Sequence, residues 1–355
     1  MDKEQKPARI NGRRSLLWNL VFLAIAALSI WVVTSQARGF SPAQFSTYLE
    51  HNNPWYLACA LGMMLAYILL GGLAILCILK GLGYRRSLAQ GASYAAADLY
   101  FSAITPSATG GQPAEGYFMV KDGIPAVIST VTLLTNLLLY TLAIVVIGAV
   151  GLILRPSAYL WFGTFSRILI IVGAAIQLSL AALYGLLLWK KQLLGRICQW
   201  GLRVLARLRL VRNLERRQER LQATMDRYGQ AAELMKGRRR LLMKGLGLNI
   251  AHRACQILVT VFCYLAGGGS WRMVPDLFSL QSCVVLGAYC IPIPGSMGVT
   301  DYMMLDGFSS MHMTEAQCAN LELLSRALSF YVCILLCGLI VLVKYAMIRF
   351  RRERT

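Results

Sequence analysis

Two carboxylates, Glu115 and Asp301, each lie nine residues after a proline (Pro106 and Pro292) in interrupted sequence between long apolar runs. The first interruption reads Ile104-Thr105-Pro106-Ser107-Ala108-Thr109-Gly110-Gly111-Gln112-Pro113-Ala114-Glu115-Gly116-Tyr117, and the second Ile291-Pro292-Ile293-Pro294-Gly295-Ser296-Met297-Gly298-Val299-Thr300-Asp301. Proline- and glycine-broken backbone at membrane depth is tolerated only where protein buries it or where it lines a wet cavity. There, freed N–H groups around Gly110, Gly111 and the Gln112 amide can meet an anionic headgroup, while a carboxylate meets a cation or a proton. The plainer alternative is that each acid caps the helix that follows it.

Other polar groups fall inside apolar runs, where ionisable residues are expensive and point to function by default. Arg253 is about eight residues into its run, roughly 12 Å deep at the rise of an α-helix, with His252 and Asn249 beside it. It either binds an anion or snorkels toward the nearer surface. Arg326 lies nearer an end of its run and carries the same two readings. Asp98 sits within a weakly apolar, Ala- and Ser-rich segment, where it is a partner for Arg253 or part of a site. Asn136 and Gln177 read as hydrogen-bonding groups between helices. Enzyme signatures are missing: the sequence contains no GxxxxGK[ST], HExxH or GxSxG. No Cys/His spacing suits a metal, so no catalytic residue, metal or cofactor is assigned.

These groups need a frame, and the composition says which kind. The chain has 355 residues, 57% hydrophobic and only 15% charged, well below the quarter expected of a soluble domain. The net charge of +20 does not call for a nucleic acid. Of 36 Lys and Arg, 30 fall in segments assigned to the cytoplasm, four outside and two within spans, which is the positive-inside pattern. Eight of the ten cysteines lie in apolar segments as small core residues.

Charge counting then gives the topology. An apolar run from Leu16 to Thr34 follows five basic residues and reads as an uncleaved first span with its N-terminus inside. Pro54 to Leu79 returns inward, with Trp55 and Tyr56 as an outer aromatic belt. The spans Ile124 to Leu154 and Ile168 to Trp189 lead into the most basic region, which holds 16 Lys/Arg against four acids between Lys190 and Gly245. That region must be cytoplasmic, so both ends of residues 88–123 are cytoplasmic too, and the first interruption is the tip of a re-entrant hairpin. Leu246 to Ala266 crosses outward and Leu323 to Val343 crosses back. Residues 275–320 therefore form a second hairpin, entering from the other face. The expected fold is all-α: a polytopic integral membrane protein of about six full spans plus two oppositely oriented re-entrant helical hairpins, an inverted repeat with its site near the midplane. One domain covers residues 1–355, with a basic linker at 190–245.

In that linker, Leu194, Ile197, Val204, Leu205, Leu208 and Val211 share a face opposite Arg196, Arg203, Arg207 and Arg209, as in a helix lying among anionic headgroups. Leu214, Leu221, Met225, Tyr228, Ala232 and Met235 suit a helix packed on the inner face or on a partner. Both also read as a plain inter-repeat connection.

The motif Pro-Ser-Ala-Thr-Gly-Gly-Gln-Pro at 106–113, with Tyr117 and Lys121-Asp122-Gly123-Ile124-Pro125, resembles the membrane (flippase) domain of lysylphosphatidylglycerol synthase, the multiple peptide resistance factor. The Pro-x-Pro-Gly-x-x-Gly pattern at 292–298 supports it, and the likeness runs over nearly the whole chain. Members commonly carry Glu after the second motif, where Asp301 stands here. The resemblance implies an inner-membrane protein, N- and C-termini cytoplasmic, that moves an aminoacylated or other phospholipid between leaflets. Full-length members add a soluble aminoacyl-transferase domain. The sequence ends at Thr355, twelve residues past the last span, so a phosphatidylglycerol lysyltransferase activity is not expected of it.

The leading expectation is a lipid flippase or scramblase-type transporter. Arg253 and Arg326 would hold phosphate, and Gly110, Gly111 and Gln112 would offer further contacts. Glu115 and Asp301 would meet the amine or a proton, with Asp98 and His252 nearby. The alternatives are a lipid-modifying membrane enzyme using Glu115, Asp301 and His252 as acid and base, or a membrane partner of a separate synthase. The expected partners are phospholipid, the membrane and, as further possibilities, a second copy of the chain or that synthase.

Overall fold

The computed structural model describes residues 50, 52–105, 108–207, 214–288, 296, 298–311 and 313–353. The first apolar run, Pro106, Pro292, Pro294, His51 and His312 lie outside the described residues.

Within them the protein is built of helices. In chain order these are α1 (Pro54–Gly81), α2 (Leu88–Ile104), α3 (Gly111–Lys121), α4 (Ala126–Leu154), α5 (Thr164–Trp189) and α6 (Lys191–Arg207). There follow α7 (Leu214–Lys236), α8 (Arg239–Ala266), α9 (Val274–Ala288), α10 (Val299–Ser309), α11 (Glu315–Arg326) and α12 (Cys333–Glu353). A π-helical segment, Ala327–Val332, joins α11 to α12.

Five helical stretches among the described residues are long and apolar enough to cross a membrane: α1, α4, α5, α8, and Gln317–Arg349 spanning α11, the π segment and α12. Their outer faces are what a bilayer requires. On α1, Leu61, Leu65, Leu69 and Leu73 recur every four residues and are all exposed. A stripe of that size invites aggregation in water but is at home against lipid. This is an all-α polytopic membrane protein.

The hairpins are α2–α3 and α9–α10, and local sequence sets their limits. Ser87 and Gln90 make a reciprocal capping box that starts α2. Gly123, at φ 83°, turns the chain after α3 in a conformation glycine adopts without steric cost, and Pro125 then leads into α4. At each tip a residue other than glycine takes the left-handed conformation: Ala108 (φ 53°) and Ser296 (φ 51°). Each stands two residues after a proline and three before the next helix. The tips are therefore built alike.

Contacts at the helix ends show that the hairpins enter from opposite ends of the bundle. Asp122, just past α3, receives the Lys344 ammonium of α12 at 2.7 Å and the Tyr94 hydroxyl of α2 at 2.6 Å, while Arg86 donates to its carbonyl. The ends of α1, α3 and α12 thus meet where α2 begins. At the other end, Arg155 after α4 pairs with Asp276 of α9 at 2.6 Å. Asp306 of α10 accepts from the Gly163 N–H and the Ser166 hydroxyl at the start of α5. Tyr56 of α1 accepts from the Trp271 indole, and Asn53 N–H bonds the Ala266 carbonyl. Packing repeats the inversion, since α2 lies on α12 as α9 lies on α4, with α1 and α8 side by side.

Two boundaries differ from expectation. The second hairpin ends at Ser309 and Glu315 already belongs to the last span, because Thr314 and Gln317 form a capping box there. The helix of α8 likewise begins at Arg239, inside the basic linker. In that linker α7 buries Tyr228, Ala231, Ala232 and Met235 in one cluster with Ile78, Val131 and Leu188, near ends of α1, α4 and α5. The Tyr228 hydroxyl donates to the Leu187 carbonyl at 2.9 Å. Of α6, Ile197 and Trp200 are exposed, and the side chains of residues 204–217 lie outside the described set.

Candidate functional site

Both tips reach one cavity of about 590 Å³. From the first hairpin it receives Asp98 and Ser102 of α2, Ala108, Thr109 and Gln112. From the second come Gln281 of α9, Ser296 and Thr300. Tyr140, Gln256 and Arg326 close it from α4, α8 and α11. A volume of this size lies within the range of small-ligand sites, and its wall mixes apolar side chains with polar groups.

On α2, Asp98 and Ser102 are one turn apart, which places both toward the start of α3. The Asp98 carboxylate accepts from the Gln112 amide at 3.1 Å and from Ser102 at 3.4 Å. Gly111 makes that approach feasible, because a Cβ there would lie 2.7 Å from the Asp98 carbonyl oxygen. The Gly110 N–H donates to Thr105 Oγ1 at 2.9 Å. The glycine pair thus closes the hairpin, and of the three residues only Gln112 is part of the cavity wall.

A polar stripe runs along α8 through Asn249, His252, Arg253, Gln256 and Thr260, at the three- and four-residue steps of one helix face. Asn249 bonds Asn136 at 3.1 Å, tying α8 to α4 as expected of such residues. His252 stacks on Tyr67 with Nδ1 2.6 Å from its carbonyl. Arg253 is fully buried, hydrogen-bonds Gln256 and lies over the Tyr140 ring at 4.5 Å. It stands behind the cavity wall and holds two members of it. Thr260 meets Ser325 at 2.5 Å beside Arg326.

On the other side Arg326 reaches the cavity while its Nε pairs with Asp301 at 2.6 Å. Asp301 Oδ2 also accepts the Gly298 N–H at 2.9 Å, so this acid both caps α10 and anchors an arginine. Glu322 of α11 adjoins Asp301. The matching nine-residue spacing does not make Glu115 its counterpart. With the left-handed residues superposed, Gln112 corresponds to Thr300 (four residues on from each), and both line the cavity. Glu115 instead lies on the face of α3 made by Gly111, Phe118 and Met119, fully buried. His252, Glu115 and Asp301 are thus held among separate neighbours.

The chain matches the family described as the lysylphosphatidylglycerol synthase TM region over residues 19–337. It belongs to that family. No curated protein matches the chain. The lysylphosphatidylglycerol synthase TM region match takes in all five spanning helices at least in part, and both hairpins whole, consistent with a membrane role connected with lipid. Sequence reasoning did not single out Tyr67, Ser102, Tyr140, Gln256 or Gln281. Continuing the Asn249–Arg253 stripe three and seven residues past Arg253 would have found Gln256 and Thr260.

Proposed function

We propose that this protein carries a phospholipid with a cationic, aminoacylated headgroup between the leaflets of the cell membrane, the headgroup passing through the cavity between the hairpin tips. One observation carries the reading: one cavity, its apolar wall set with polar groups, is shared by two hairpins that enter from opposite ends of the bundle. Asp98 supplies a carboxylate for the amine, and Arg326 a guanidinium for the phosphate. Arg253 acts through Tyr140 and Gln256 rather than by touching lipid. The acyl chains would leave between α5, where Ile176 and Leu180 line the cavity, and the π segment, where Ser329 and Phe330 do. The first packs on α4, α6, α7 and α9, and the second on α8, α11, α12 and α1.

Movement of one hairpin unit against the other would expose the cavity alternately. With both termini in the cytoplasm, the first hairpin enters from the inside and the second from the outside. The test is leaflet exchange of a fluorescent lysyl-phosphatidylglycerol in proteoliposomes. Asp98→Asn and Arg326→Gln should each slow exchange at least tenfold, and Leu65→Ala, on the lipid face, should leave it near wild type. Wild-type rates in both cavity variants would remove the site. Covalent alteration of the lipid would favour the enzyme reading instead.

A further inference from the structure

Of the interior carboxylates, most are held by donors. Asp98 has Gln112 and Ser102, Asp122 has Tyr94 and Lys344, and Asp301 has the Gly298 N–H and Arg326. Glu115 is different. It is fully buried, and among the described residues neither of its oxygens has a hydrogen-bond partner. Gln112, three residues earlier on the same helix, donates to Asp98, while its own Oε1 is buried with no donor among the described residues. Three acceptor atoms on α3 are therefore buried without a donor among the described residues, and both side chains lie within reach of Asp98, Gln112 by a hydrogen bond and Glu115 electrostatically. Buried polar atoms in folded proteins are almost always paired, so an unmet need for hydrogen one helical turn behind the cavity wall at Gln112 points to a proton held there.

The surroundings offer no cation directly. Asp98 is the charged group that Glu115 senses from α2. Asp98 in turn lies within electrostatic reach of Arg253 on α8 and Cys337 on α12. Helix α4, which also packs on α3, carries no Asp, Glu, Lys, Arg or His between residues 126 and 154. The other titratable residues of α3, Tyr117 and Lys121, are exposed. A buried carboxylate in such company holds a proton more readily than a bare charge.

We propose that Glu115, together with Asp98, is the site of a proton exchanged against the ammonium of the lipid headgroup. This rests on the cavity being the headgroup site. With the cavity empty, Glu115 carries the proton and its O–H satisfies Gln112 Oε1. An ammonium arriving beside Asp98 brings the positive charge that the proton supplied. The Glu115 O–H bond then breaks, the proton passes to the Asp98 carboxylate and on to cavity water, and one cation has replaced another. Departure of the headgroup reverses each step. Binding of a cationic lipid is thereby coupled to proton release, which couples transport to a proton gradient without a nucleotide.

The test uses the full chain in phosphatidylcholine nanodiscs, weakly buffered and containing a pH indicator. The probes are short-chain lysyl-phosphatidylglycerol and the unmodified short-chain phosphatidylglycerol. Wild-type protein should release protons in proportion to lysyl-lipid bound, and its affinity should rise with pH. Glu115→Gln should lose the proton release and the pH dependence together. Infrared difference spectra of the wild type should show a carboxylic O–H and C=O signal lost on lysyl-lipid binding, a readout that needs no variant. Binding without proton release, release that persists in Glu115→Gln, or displacement of sodium in place of protons overturns the exchange while leaving the cavity site standing. No binding of either lipid overturns both.

Discussion

The contact between α1 and α2 fixes the first hairpin to the bundle, and it depends on two glycines facing each other. A Cβ on Gly72 would lie 2.6 Å from the Gly91 carbonyl carbon and 2.7 Å from the Ala92 nitrogen, both backbone atoms that cannot rotate aside. Ordinary carbon contacts begin near 3.5 Å, so Gly72→Ala must push the helices apart by somewhat under about 1 Å. Overpacking of this kind costs about 1–3 kcal/mol. Gly62, on the same helix, has nothing within 4 Å of its would-be Cβ. Both substitutions gain helix propensity, worth about 1 kcal/mol, so the difference between the two variants isolates the clash. At roughly 2–4 °C per kcal/mol for large domains, Gly72→Ala should melt several degrees below Gly62→Ala. Thermal unfolding of the purified protein in one detergent gives the comparison directly. Equal melting temperatures, or a more stable Gly72→Ala, would refute close packing of α1 on α2.

Asp122→Asn should destabilise by about 3 kcal/mol, because it leaves the nearly buried Lys344 ammonium without its carboxylate. Adding Lys344→Met should recover most of that loss in the same melting assay. Ala108→Gly should raise stability by about 0.5–1 kcal/mol, since the left-handed conformation costs a residue with a Cβ about 1–2 kcal/mol and glycine returns part of the gain as chain entropy. Burial pushes the Tyr228 phenol up to about 12. The folded value exceeds the unfolded one near 10, so its contribution is complete below pH 10 and lost as pH rises through 12. Unfolding followed across that window should show a weaker alkaline loss in Tyr228→Phe.

The spans were legible because hydrocarbon demands long apolar runs, and the hairpins because proline and glycine interrupt two of them. Their opposite entry followed from the placement of lysine and arginine. What stayed hidden depended on pairings far apart in the chain. Nothing local in the sequence tells Asp122 that Lys344 is its partner, or that Asp306 will cap α5 through Ser166. The nine-residue spacing of Glu115 and Asp301 was misleading, because the second stretch has two prolines and the tip follows the later one. Arg253 was visible as a costly charge, but its place behind Tyr140 depends on how α4 lies against α8. Left-handed Ala108 and Ser296 could not be read from residue type, since neither is glycine or asparagine.

Between Arg326 and Cys333 the chain winds with the wider i to i+5 pattern, which takes up a surplus residue without changing how the flanking helices face their neighbours. Removing one of those six residues should let the segment relax into a regular α-helix, with Arg326 still at Asp301 and Lys344 still at Asp122. A deletion further along α12 has no such slack to absorb it. It would rotate everything downstream by about 100° and swing Lys344 away from the base of the first hairpin.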